Sequence, residues 1–157
     1  MTRPLGPQIV RIAAPRELVF DLVRVAYDPE RAPARLRDKI RVLMRDGNTV
    51  LAEHRTKVGR FVAVTLETVR FTPPERIDFQ LLHGPVSGAA EQFALRDVDG
   101  RGATELRYTG ELATGWWIAG AAWGAFVAYF WERAVAASLA DLKAASEQAT
   151  AARRVAS

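Results

Sequence analysis

The run from Trp116 to Trp131, WWIAGAAWGAFVAYFW, carries no charge and contains every tryptophan of the chain. A helix that is apolar on all sides must be buried all round, face a cavity or a partner, or contact lipid. Charges return at Glu132 and Arg133, and an amphipathic pattern follows through Ala134, Val135, Leu139 and Leu142 to Glu147. The pattern predicts one long C-terminal helix of about thirty residues, roughly 45 Å at 1.5 Å per residue. A membrane-crossing helix needs about 20 apolar residues. This run is shorter, rich in Ala and Gly, and preceded by Ala113, Thr114 and Gly115 rather than by a basic cluster, so no transmembrane span is expected.

Composition narrows the function classes. A chain of 157 residues, 49% hydrophobic and 25% charged, is expected to form a single domain over residues 1–157, with its core at about 8–147 and a frayed tail over 149–157. Cysteine is absent, which excludes disulfide scaffolds, thiol catalysis and Cys-ligated metal centres. The two histidines, His54 and His83, stand in no metal-binding spacing, so neither a metal nor another cofactor is expected. The first residues, MTRPLGPQIVRIAAP, lack the pattern of a signal peptide, and a cytoplasmic location is the expectation. The net charge of +4 comes from arginine, but Arg31, Arg35, Arg37, Lys39, Arg41 and Arg45 interleave with Asp28, Glu30, Asp38 and Asp46. Such mixing reads as a solvated face and not as a nucleic-acid groove.

Periodicity sets the element order. Gln8 to Ala13 alternates as a short strand, Pro15 opens a helix that ends at Asp28-Pro29, and Glu30 to Leu36 reads as a second short helix. Six alternating segments follow: Ile40–Arg45, Thr49–Thr56, Phe61–Phe71, Arg76–Leu82, Ala90–Val98 and Thr104–Leu112. Their connections are too short for parallel crossovers, so the strands form an antiparallel meander. The result is an α+β chain in which a seven-stranded curved antiparallel sheet wraps around the long C-terminal helix, with two short helices after the first strand.

Stepping about 100° per residue from Val135, the sheet-facing stripe of that helix is Leu142, Leu139, Val135, Trp131, Ala128, Gly124, Ala121 and Trp117. Its members shrink to Ala, Gly and Ala near the N-terminal half, which leaves either close packing or a cavity between Trp117 and Trp131. The opposite face carries Trp123, Phe126, Tyr129, Phe130 and Arg133. Aromatics grouped in this way are expected to be covered by the first helix and the loops, or to form a homodimer interface, with a membrane surface as the third reading.

PRELVFDLV after the first strand, ETVRFTPPERIDFQLLHGP in the middle and EQFALRDVDGRGATELRYTGEL before the last helix resemble the START-like superfamily called SRPBCC, and within it the polyketide cyclase/dehydrase and lipid-transport branch. The resemblance spans about Gln8 to Glu147 and implies a helix-grip fold with a deep hydrophobic cavity. It implies that Phe79, Leu81, Phe93, Leu95, Leu106 and Tyr108 line that cavity from the sheet, facing Trp117, Ala121, Gly124, Ala128 and Trp131, with the loop His83 to Gly88 near the mouth.

The function expected from this reading is binding of a hydrophobic small molecule such as a lipid or polyketide. A polyketide cyclase, aromatase or dehydrase acting in the same cavity is the alternative, and a structural module with a filled core is the third. Candidates for proton transfer or carbonyl polarisation are His54, Glu67, Glu91, Arg96 and Tyr108, which form no recognisable constellation in sequence. Polar residues converging inside the pocket favour the enzyme; a dry apolar pocket favours the carrier.

Overall fold

Alternation is realised as one continuous sheet. The computed structural model describes residues 2–100, 102–113 and 118–156. Chain order is β1 (Thr2–Ile12), α1 (Arg16–Val25), α2 (Ala34–Arg37), β2 (Ile40–Asp46), β3 (Thr49–Val58), β4 (Phe61–Thr72), β5 (Arg76–His83), β6 (Gly88–Val98), β7 (Ala103–Ala113) and α3 (Ile118–Val155). The seven strands lie in the order β1-β7-β6-β5-β4-β3-β2. Every neighbouring pair is antiparallel. This is the helix-grip architecture.

Four elements differ in extent from the sequence pattern: α1 stops at Val25 short of Asp28, α2 covers only Ala34–Arg37 and not Glu30 to Leu36, and the first strand and α3 are longer than expected. The first strand begins at Thr2 because β1 pairs with β7 on both sides of an irregularity between Leu5 and Gln8. Gly6 sits in that irregularity at φ 76, and a Cβ there would stand 3.0 Å from the Tyr108 carbonyl oxygen. Only glycine suits such a backbone. At the other end, α3 stays helical to Val155, through the segment where the sequence suggests fraying.

The inner face of the sheet supplies the core. Val50, Ala52, Val69, Phe71, Ile77, Leu81, Leu95, Leu106 and Leu112 are buried along it. Leu18, Val19 and Phe20 of α1 close one end, with the Phe20 ring edge-on to Phe71 at 6.1 Å. The Thr104 hydroxyl donates to the Ala14 carbonyl at 2.7 Å, tying β7 to the start of α1. A pair of hydrogen bonds joins α3 to the β1 irregularity: Gly6 N–H donates to Glu132 Oε1 and the Gln8 side chain to the Glu132 carbonyl, both at 3.1 Å. The glycine turn thus exposes a backbone N–H where the helix carboxylate can reach it.

Leu106 is fully buried, whereas Leu43 is 47% exposed. Truncating Leu106 to Ala is expected to cost ~2–5 kcal/mol, and Leu43→Ala to stay within about 0.5 kcal/mol of the parent. Equilibrium urea unfolding of the two variants checks the contrast.

Candidate functional site

Strand alternation turns five polar side chains onto the inner face: His54 of β3, Thr65 and Glu67 of β4, Glu91 of β6 and Tyr108 of β7. Tyr27 joins them from the end of α1. Its hydroxyl lies 2.9 Å from His54 Nε2. His54 Nδ1 faces Glu67 Oε2 at 3.4 Å but is buried without a hydrogen-bond partner. The Thr65 hydroxyl donates to Glu67 Oε1 at 2.6 Å. Glu91 Oε1 accepts two hydrogen bonds, from the Tyr108 hydroxyl at 2.7 Å and from Trp131 Nε1 at 2.6 Å. One carboxylate oxygen therefore joins the sheet to α3.

Gly110, opposite Glu91 in the β6–β7 ladder, makes this possible. A Cβ at that position would stand 3.0 Å from Glu91 Cγ and 3.4 Å from the Tyr108 hydroxyl. Without it, both side chains can turn toward Trp131.

Burial dominates the electrostatics, because a low-dielectric interior disfavours charged forms. It lowers the His54 imidazole to about 4, so the ring is neutral at physiological pH. It raises the Glu67 carboxyl against the opposing Thr65 hydrogen bond. Burial also pushes Glu91 up to about 7; the hydrogen bonds from Tyr108 and Trp131 oppose that rise and the nearby Glu67 adds to it. Tyr108 is raised by burial and then by Glu91, and Tyr27 by burial and then by the two glutamates. The direction of the Tyr27–His54 hydrogen bond follows the imidazole tautomer: where Tyr27 donates to Nε2, the neutral ring carries its proton on Nδ1, beside Glu67.

Apolar side chains surround these groups. Phe79 meets Phe93 edge-on at 5.1 Å, and Phe93 meets Tyr108 at 6.0 Å. Leu81, Leu95 and Leu106 are buried, as are Gly124 and Ala128 of α3, while Trp131 is half-buried. Where the β5–β6 loop approaches the start of α3, Pro85, Val86, Ser87, Ala113, Gly120, Trp123 and Gly124 line a cleft of about 330 Å³. Trp123 Nε1 donates to the Pro85 carbonyl at 2.8 Å across it.

Several sequence expectations need correction. Ala121 is exposed. It points in the same direction round the helix as Leu139, yet sits about one turn nearer the helix start than Gly124, where no described residue covers it. Arg96 lies on the outer face and pairs with Glu105 at 2.5 Å, so it is no part of the interior. Most of the outer face of α3 has no cover among the described residues: Trp123, held at one edge by the Pro85 carbonyl, and Phe126 are each 51% exposed and Tyr129 55%. The expectation for Trp117 lies outside the described residues. His83 is exposed at the end of β5. Tyr27, Thr65 and Gly110 were not among the sequence candidates. Tyr27 sits in a helix-to-loop junction where periodicity carries no signal, and a strand glycine such as Gly110, which can mark close approach, was the one available cue.

A family model described as polyketide cyclase/dehydrase and lipid transport matches residues 8–147. The chain belongs to this family. Solved structures agree on the fold. The Zhui aromatase/cyclase from Streptomyces sp. R1128 superposes with a TM-score of 0.79 at 16% identity, covering 94% of this chain and 95% of that one. The di-domain aromatase/cyclase StfQ from the steffimycin biosynthetic pathway gives 0.71 at 14% identity, over 96% of this chain and 52% of the longer one. A START superfamily protein from Mycobacterium smegmatis gives 0.57 at 17% identity, over 94% of each. No curated protein matches the sequence. At these identities the structural likeness establishes the fold, and the family supports hydrophobic ligand binding or a cyclase-like role. No helix among the described residues is long and apolar enough to cross a membrane.

The interior groups make stability pH-dependent in two opposite senses. Glu91 holds its proton up to about 7 in the folded chain against 4.5 when unfolded, so stability is expected to fall as pH rises through that window, with Glu67 acting in the same direction. His54 is lowered from 6.5 to about 4, so its contribution is lost as pH falls from 6.5 toward 4. Denaturant midpoints measured across this range should show a shallower high-pH decline in Glu91→Gln and a shallower low-pH decline in His54→Asn. Unchanged slopes in both variants would show that other groups control the titration.

Proposed function

We propose that the chain binds a hydrophobic small molecule between the sheet and α3 and exchanges a proton with it through Glu91, a cyclase- or dehydrase-like role. The observation that carries this reading is the convergence of Tyr27, His54, Glu67, Glu91 and Tyr108 on an otherwise apolar inner face. Each buried polar group opposes folding unless it is satisfied. A plain carrier would be more stable with apolar residues there. A carboxyl that titrates near neutrality can both take and return a proton, which suits a general acid–base. Tyr108 and Trp131 fix its position, and neutral His54 supplies a second polar contact. Phe79, Phe93, Leu95, Leu106, Gly124 and Ala128 would hold the apolar body of the ligand.

Native mass spectrometry of protein purified from its own host tests the first half, by showing whether a small molecule co-purifies. Moving that complex into deuterated buffer tests the second. The ligand's acidic hydrogens should exchange faster on the wild-type protein than on Glu91→Gln, by ~10²–10⁴ if Glu91 is the base. Equal rates in the two proteins would leave the simple carrier as the better reading.

We further propose that the outer face of α3 is a homodimer interface. Trp123 stacks on Phe126 at 5.5 Å, Phe126 meets Phe130 at 4.7 Å, and Phe130 meets Tyr129 at 5.2 Å, giving a continuous half-exposed aromatic surface. Phe126→Glu with Phe130→Glu should convert a dimer to a folded monomer in sedimentation velocity. Wild-type protein that sediments as a monomer at high concentration would refute the interface.

A further inference from the structure

Charge is divided sharply between surface and interior. Among the described residues every Lys and Arg is exposed except Arg16 and Lys143. Both of these are engaged elsewhere, Arg16 with Asp97 at 3.2 Å, and Lys143 with Glu147 at 2.9 Å and the Arg11 carbonyl at 2.6 Å. The interior holds two carboxyls, Glu67 and Glu91, and no Lys or Arg among the described residues pairs with either. A chain whose net charge is +4 thus has an acidic centre without a counter-ion.

That arrangement discriminates between ligands by charge. An anion entering the site would meet two carboxyls and no cation, a combination that desolvation and like-charge repulsion both oppose. A cation meets the opposite situation: it can ionise a carboxyl and form with it an ion pair whose desolvation is already partly met by the Tyr108, Trp131 and Thr65 donors. Phe79 lies opposite Glu91 in the β5–β6 ladder and Tyr108 and Trp131 hydrogen-bond to it, so an ammonium there has aromatic side chains as neighbours, and aromatic rings attract cations most strongly where water is excluded. His54 Nδ1, buried without a hydrogen-bond partner beside Glu67, becomes a further acceptor in its other tautomer.

We infer that the interior site takes an apolar amine, its ammonium group held by Glu67 and Glu91 and its hydrocarbon body against Phe79, Phe93 and Leu106. This inference rests on the reading of the interior as a ligand site and adds the charge of the ligand to it. Binding should be linked to protons. The groups acting on Glu91 are Tyr108 from β7, Trp131 from α3 and Glu67 from β4; Glu91 in turn acts on Tyr27 after α1, which is bonded to His54 of β3, and Glu132 of α3 acts on Tyr108. None is a cation at neutral pH. An arriving ammonium therefore draws Glu91 toward its ionised form and releases a proton, and affinity rises as pH climbs through about 7.

Three isosteric probes separate the possibilities: 2-naphthylmethylamine, the neutral 2-naphthylmethanol and the anionic 2-naphthoate, each titrated calorimetrically into the full chain. The amine is expected to bind at least ~10-fold tighter than the alcohol and the acid most weakly. Repeating the amine titration in two buffers of different ionisation enthalpy should show proton release near neutral pH. In Glu67→Gln and Glu91→Gln the ratio of amine to alcohol affinity should fall toward one; the comparison among probes on wild-type protein needs no variant to fold. Alcohol binding with no advantage for the amine, or tighter binding of the acid, would overturn the inference and leave the ligand site standing. Failure of all three to bind would remove the site itself, and the inference with it.

Discussion

A carboxylate oxygen in an apolar interior must be satisfied, and Glu91 Oε1 is satisfied by two different layers at once. Tyr108 reaches it along the sheet and Trp131 reaches it from α3. Leaving a buried polar group unpaired costs more than a paired one contributes, so this junction constrains both partners. It fixes the rotation of α3 about its axis at Trp131, which in turn decides that Gly124 and Ala128 face inward and that Trp123, Phe126 and Tyr129 face out. In the next residue, Glu132 accepts from the Gly6 N–H, so α3 is pinned to β6 and β1 by two consecutive residues.

The same junction joins stability to chemistry. Burial that closes the core also shifts His54 and Glu91 in opposite directions, toward the neutral form of each. Perturbed groups of this kind cluster at functional sites, although structural networks can produce them as well. Here the case for function comes from their arrangement: Tyr27 after α1, His54 of β3, Thr65 and Glu67 of β4, Glu91 of β6 and Tyr108 of β7 meet on a mostly apolar inner face. Family membership alone would not separate transport from catalysis, since the family's own description includes both.

Surface arginines and interior glutamates also explain why composition is a poor guide to this site. The basic net charge and the dense run from Arg31 to Arg45 describe the solvated exterior, where cations keep their hydration. The interior follows a different rule. There, charge is suppressed by burial, and only a ligand that brings the missing sign would restore it.

Alternation was enough to predict six of the seven strands to within a residue or two at most ends, and to place Phe79, Phe93, Leu106 and Tyr108 on one face, because side-chain direction in a strand has a period of two. Side-chain chemistry offered His54, Glu67 and Glu91 as candidates one at a time. What it could not do was bring them together, since β3, β4 and β6 become neighbours of α3 only through sheet curvature, and Tyr27 comes from a junction with no period to read. Helical periodicity has a similar limit: it gave Ala121 the right direction but not the distance along α3 at which cover ends. Trp131 shows the division most clearly. Its place on the inward stripe follows from the sequence, because local geometry repeats every 3.6 residues, whereas its hydrogen bond to Glu91, forty residues away, depends on two surfaces meeting in space, which only the tertiary structure decides.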